Sequence, residues 1–141
     1  VIASGHILND YQQLYACGKM ALREGDMDPV EKQRMIQRIA YENQYDVLGE
    51  RVLWSRHATA KLVDYSLRRA DVETALARCL LIEDYLPLHR PLPDCLVLGT
   101  LPSGSPFHAV IAIDEANRRI FVVTIYLPAR ERWQDDWQTR K

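Results

Sequence analysis

The sequence predicts an α+β fold: an N-terminal helical hairpin, then two helices packed on a roughly four-stranded antiparallel sheet. Two observations predict it. Apolar residues recur at helical spacing as far as about residue 79, and from Leu81 the period changes to strand-like alternation. The strand-sized runs then follow one another across links holding Pro87, Pro91, Pro93, Pro102, Gly104, Pro106 and Asn117. Helices first and neighbouring strands afterwards favour an antiparallel sheet. The chain has 141 residues, 48 % apolar and 26 % charged. That fits one domain, or one compact domain with an appendage, and excludes disorder or low complexity as a description of the whole.

The elements follow in order. Ile7, Tyr11, Leu14, Gly18 and Leu22 mark a first helix, ended at Glu24-Gly25. Asp28 is a good N-cap for a second, with Pro29 at its first position and Glu31 where a capping box needs it. Met35, Ile36, Ile39, Ala40 and Val47 form its apolar stripe, and Gly49 stops it. The hairpin must bury its stripes on the rest of the chain or on a partner. Ser55 caps a helix to about Arg68, and Asp71 one to about Cys79. Strands are expected at 81–85, 95–101, 107–113 and 120–127, and Pro128 ends the last. A short helix with Trp133 and Trp137 closes the chain. The division expected is a helical lead-in at 1–54 and a second unit at 55–141.

Charge excludes a strongly basic nucleic-acid binder. Residues 1–54 carry 6 Lys+Arg against 8 Asp+Glu, and the remainder 12 against 11. Arg56, Lys61, Arg68, Arg69, Arg90, Arg118, Arg119, Arg130 and Arg132 still supply cations for a local basic groove. No apolar stretch reaches the roughly 18 residues of a membrane span. Cys17, Cys79 and Cys95 are widely spaced and odd in number, which reads as reduced thiols used for packing, with no zinc site.

Two patterns carry chemistry. On the helix from Ser55, a wheel places His57, Lys61, Asp64 and Arg68 within about 60°, with Ala58, Leu62, Val63 and Leu67 opposite. In the last two strands, Phe107, Ala109, Ile111 and Ile113 share one face, and so do Phe121, Val123, Ile125 and Leu127. Matching these faces across a hairpin at Glu115–Arg119 puts His108 with Thr124 and Tyr126, close to one of them. Imidazoles, hydroxyls and cations suit metal-free RNA cleavage. A base takes the ribose 2′-OH proton, an acid protonates the departing 5′-oxygen, and a cation stabilises the phosphorane. There is no G-x-S-x-G, Walker loop or G-x-G-x-x-G to suggest another class.

The runs Ser55-Arg56-His57-Ala58, Asp71-Val72-Glu73, Ile82-Glu83-Asp84-Tyr85, Arg90-Pro91-Leu92-Pro93-Asp94-Cys95-Leu96-Val97-Leu98-Gly99, Phe107-His108-Ala109-Val110 and Val123-Thr124-Ile125-Tyr126-Leu127-Pro128, with Trp133, resemble one bacterial family. It is the domain-of-unknown-function 4258 family, and the likeness covers residues 55–137. That family is similar to the BECR ribonuclease toxins (barnase, EndoU, colicin nucleases and RelE). The resemblance implies their helix-on-sheet fold and an endoribonuclease toxin cutting tRNA or mRNA. The family's helix His matches His57, its strand His matches His108, and its T-x-Y-x-P ending matches Thr124, Tyr126 and Pro128. Of two basic positions common in its first helix, one is Lys61 and the other is Tyr65 here.

On this reading His57 and His108 are the acid and base in unassigned order. Lys61, Arg68, Arg90 and Arg132 bind the substrate, and Thr124 with Tyr126 orients it or stabilises the transition state. No cofactor, metal or membrane is expected. The partners are RNA and a cognate immunity protein or antitoxin. The site of action is the bacterial cytoplasm, and a start without Met suits the tip of a larger toxin delivered from another cell. The alternative is a non-catalytic protein-interaction module, an inactive relative of the toxins.

Overall fold

The computed structural model describes residues 27–87 and 90–141. The first expected helix, with Cys17, lies outside them. The described elements are α1 (Pro29–Asn43), β1 (Val52–Trp54), α2 (Arg56–Asp64), α3 (Arg69–Leu76), β2 (Leu80–Asp84), β3 (Asp94–Thr100), β4 (Pro106–Asp114) and β5 (Arg119–Tyr126). They form an α+β fold with one five-stranded open mixed sheet in the order β1-β5-β4-β3-β2. The four strands β2 to β5 pair antiparallel, as the period change implies. The fifth, β1, adds parallel to β5 at the edge, so the sheet is not the purely antiparallel one expected.

Local chemistry sets the helix starts. Asp28 accepts from the Glu31 amide at 2.9 Å, and Glu31 accepts from the Asp28 amide at 3.1 Å, completing the capping box ahead of Pro29. Ser55 Oγ accepts from the Ala58 amide at 3.0 Å and donates to the Val123 carbonyl at 2.8 Å, so this cap also ties α2 to β5. The helix ends differ from expectation. α1 stops at Asn43, six residues before Gly49, and Val47 lies exposed beyond it. α2 stops at Asp64, because Ser66 takes a left-handed φ of 55° that no helix continues through. Arg68 therefore leaves the His57 face and becomes the N-cap of α3, with Asp71 inside its first turn. Residues 128–141 form turns with an isolated bridge between Trp133 and Arg140, where a helix was expected.

All three helices cover one face of the sheet. Ile36, Ile39 and Ala40 of α1, Ala58 and Leu62 of α2, and Val72 and Leu76 of α3 share a core with Val97, Phe107, Ala109, Ile111, Ile113, Ile120, Val122 and Ile125. α1 thus docks on the sheet as its stripe requires, although Val63 of α2 is exposed. Cys79 and Cys95 are free thiols in this core, and burial pushes Cys79 up to about 12, so it stays a neutral packing residue. The opposite face carries a smaller cluster of Leu92, Ala112, Phe121 and Val123.

Ile120 and Val122 lie in the helix-side core, as does Ile125, so the alternation of β5 changes parity between them. The cause is a register shift. Ile111 pairs with Val122, but Val110 pairs with Thr124, leaving Val123 as an extra residue. The expected match of Phe121 and Val123 to the Phe107–Ile113 face is corrected accordingly. Beyond the bulge the expected face match returns, and of Thr124 and Tyr126 it is Tyr126 that lies opposite His108.

Gly99 is the tight point of the core. It pairs with Phe107, and a Cβ there would sit 2.2 Å from Phe107 Cζ, whose side chain is fully buried. Gly99→Ala is expected to cost about 1–3 kcal/mol through overpacking. Urea unfolding checks this, and an unchanged midpoint would show that Phe107 can move aside.

Candidate functional site

β1 lies beside β5 only from Ile120 to Val122. Past Trp54 the chain turns into α2, and the end of β5, Thr124 to Tyr126, has no strand on that side among the described residues. The first turn of α2 brings His57 there. Its Nε2 lies 3.0 Å from Thr124 Oγ1, and both residues are partly exposed. Lys61 follows one turn along α2, partly exposed, 4.0 Å from Asp64 and with its ammonium 5.8 Å from the Tyr65 ring centroid.

Two residues along β5, Tyr126 serves the other imidazole. Its Oη lies 3.1 Å from His108 Nδ1, while His108 Nε2 lies 2.7 Å from the Trp137 carbonyl. The Trp133 ring stands edge-on to His108 at 4.3 Å between centroids, and the Tyr126 ring does so at 5.2 Å. His108 is fully buried on the strand face it shares with Thr124 and Tyr126. Burial holds the imidazole below its ordinary value and pushes the Tyr126 phenol above its own, so both are neutral near pH 7.

The two histidines approach the same stretch of β5 from different elements. His57 comes from a helix on the helix-covered face. His108 alternates with Phe107 and Ala109 and lies on the opposite face, which Thr124 and Tyr126 share, so the His57 ring reaches round the open edge of β5 to meet that face. What joins them is one strand, through hydroxyls two positions apart, roughly 6–7 Å along β5.

The expected cations divide. Arg132 is exposed and close enough to Tyr126 to act on its charge, as is Arg140. Arg90 pairs with Asp94, and its guanidinium lies 4.7 Å from the Tyr85 ring centroid. Burial pushes Tyr85 up to about 12, and Tyr126 is among the charges it feels, so Arg90 and Tyr85 flank the same region. Arg68, at the start of α3, stands apart on another element.

Sequence reasoning missed Tyr85, Glu83 and Arg140. Arg140 reaches Glu83 on β2 with NH2 3.1 Å from Oε1 and stacks 4.7 Å from the Trp133 ring, fastening the C-terminal segment over His108. A contact spanning 57 positions leaves no local signal.

These residues fall largely within a single family match. The model of the domain of unknown function DUF4258 matches residues 54–127, more than half the chain, and the protein belongs to that family. His57, His108, Thr124 and Tyr126 lie inside the match, and the segment holding Trp133, Trp137 and Arg140 lies beyond it. No curated protein and no solved structure matches the chain significantly.

Proposed function

We propose that the chain is a metal-independent endoribonuclease domain of the BECR, RelE-like kind, cutting tRNA or mRNA by attack of the 2′-OH. One observation carries this reading. The open end of β5 presents a partly exposed imidazole on Thr124 and a half-buried phenol two residues on, with cations nearby. An imidazole exchanges protons near neutral pH, and hydroxyls and guanidinium groups bind a phosphodiester without a metal. In this scheme His57 protonates the leaving 5′-oxygen, Thr124 holds the His57 ring, and Tyr126 meets the 2′-OH. Lys61, Arg90 and Arg132 bind flanking phosphates, with Arg68 at the margin. A cell making such an enzyme needs a cognate inhibitor, an immunity protein or antitoxin, and the site of action is the bacterial cytoplasm.

The competing reading, an interaction module descended from such an enzyme, draws on the sealed state of His108. Incubating total RNA with the full chain, with and without chelator, separates the two. Cleavage that survives chelation and leaves 2′,3′-cyclic phosphate and 5′-hydroxyl ends is the expected result. Intact RNA at stoichiometric protein would remove the nuclease reading.

A further inference from the structure

Filling a buried strand position needs no imidazole, and both nitrogens of His108 are engaged. The Trp137 carbonyl can only accept, so Nε2 carries the proton and Nδ1 is left as an acceptor. The Tyr126 hydroxyl therefore donates to Nδ1, which leaves its own lone pairs for a second donor. The ring is enclosed by Leu98 paired on β3, Tyr126 on β5, and Trp133 with the Trp137 backbone from the C-terminal segment. The charged groups facing it are Glu83 from β2 and Arg140 from that segment, while Arg132 and Arg140 act on Tyr126.

We propose that His108 is the proton acceptor of RNA cleavage at one remove, taking the Tyr126 hydroxyl proton as that hydroxyl takes the proton of the ribose 2′-OH. The inference rests on the nuclease reading above. His108 touches no RNA and is a positioning residue, and Tyr126 is the catalytic group. As the 2′-oxygen loses its proton to Tyr126 Oη, it forms the new bond to phosphorus. The bond from phosphorus to the 5′-oxygen breaks with its electron pair, and that oxygen takes a proton from the imidazolium form of His57. Tyr126 ends as a neutral phenol, and His108 ends as an imidazolium with Nε2–H still on the Trp137 carbonyl and Glu83 as the nearby carboxylate. The starting state needs a neutral imidazole and a neutral phenol, which burial supplies at both positions.

The test uses the full chain with Tyr126→Phe, His108→Asn and the double variant. Asn sets an amide oxygen near the Nδ1 position, so the Tyr126 hydroxyl keeps an acceptor but loses a base. Each single variant is expected to lower kcat about 100-fold, the scale of a lost general base. The double variant should lose no more than about threefold beyond either, because the two act as one unit. The acid limb of the kcat/KM profile against pH, which reports the base, should vanish in each. Thermal melting checks folding. His108→Gln, whose amide nitrogen can still reach the Trp137 carbonyl, replaces Asn if that variant unfolds, and Tyr126→Phe preserves the ring in any case. A double loss equal to the product of the singles, or an acid limb retained in a folded variant, overturns the relay while the nuclease reading stands. A parent that cuts no RNA overturns both.

Discussion

Replacing His57 with Ala is expected to slow RNA cleavage by about 100-fold or more, the scale of a lost general acid or base, while the far-UV circular dichroism spectrum stays nearly native. The fold does not depend on this ring. Ala58 and Leu62 carry the packing of α2, and Ser55 supplies its cap. Alanine is also the better helix former at that position. His57→Gln sharpens the test. Its amide can still hydrogen-bond to Thr124 Oγ1 but cannot give up a proton at neutral pH. A rate loss like that of alanine assigns proton transfer to the ring, and a rate within about threefold of the parent leaves His57 only an anchoring role. If His57→Ala itself cuts RNA as fast as the parent, the mechanism is wrong.

How much of this was legible in the sequence depends on the range of each interaction. The strands β2 to β5 fall within one or two residues of the alternating runs, because alternation is a local record of a sheet with one covered face. The caps Asp28 and Ser55 were legible because a cap acts within three residues. β1 was not. Val52–Trp54 is too short to show a period, and its pairing with Ile120–Val122 is decided far along the chain. Trp133 and Trp137 stand at helical spacing, but Trp133 packs on His108 and bridges to Arg140.

The site divides along the same line. That His108 shares a face with Thr124 and Tyr126 follows from strand parity and was expected, and the register makes Tyr126 the one directly opposite. Thr124 keeps the face it shares with His108 and Tyr126, and its contact with His57 follows from the open edge of β5 past the short β1, which alternation alone does not reveal. The burial of His108 depends on the C-terminal segment fastened at Glu83, so its strand face was legible and its enclosure was not.

The largest stability effect is expected at Lys32, which the helical stripe gave no reason to single out. Its side chain is only 3 % exposed, and its ammonium group has three partners: Asp84 Oδ1 at 2.5 Å, the Asp94 carbonyl at 2.8 Å and the Tyr85 carbonyl at 3.1 Å. An ammonium has three donors, so the group is fully satisfied, and it fastens α1 to β2 and to the start of β3. Beside it, burial raises the Asp94 carboxyl above the usual range, while Arg90 and Lys32 oppose that shift. Asp94 Oδ1 has no hydrogen-bond partner. Lys32→Ala removes a cation from beside this carboxylate and strips two carbonyls of their donor. Breaking a buried pair from one side costs about 3–5 kcal/mol, and the lower end applies here because the Asp84 side chain is 34 % exposed and water can reach it. Lys32→Met keeps most of the aliphatic stem, so a similar loss there traces the effect to charge and hydrogen bonding rather than to packing. Urea unfolding at neutral pH measures both. A loss below about 1 kcal/mol in Lys32→Met, with Lys32→Ala much worse, would show that the stem carries the stability. The network also reaches the candidate site. Asp94 holds Arg90 against the Tyr85 ring, so the start of β3 that Lys32 fastens also carries the anchor of this arginine.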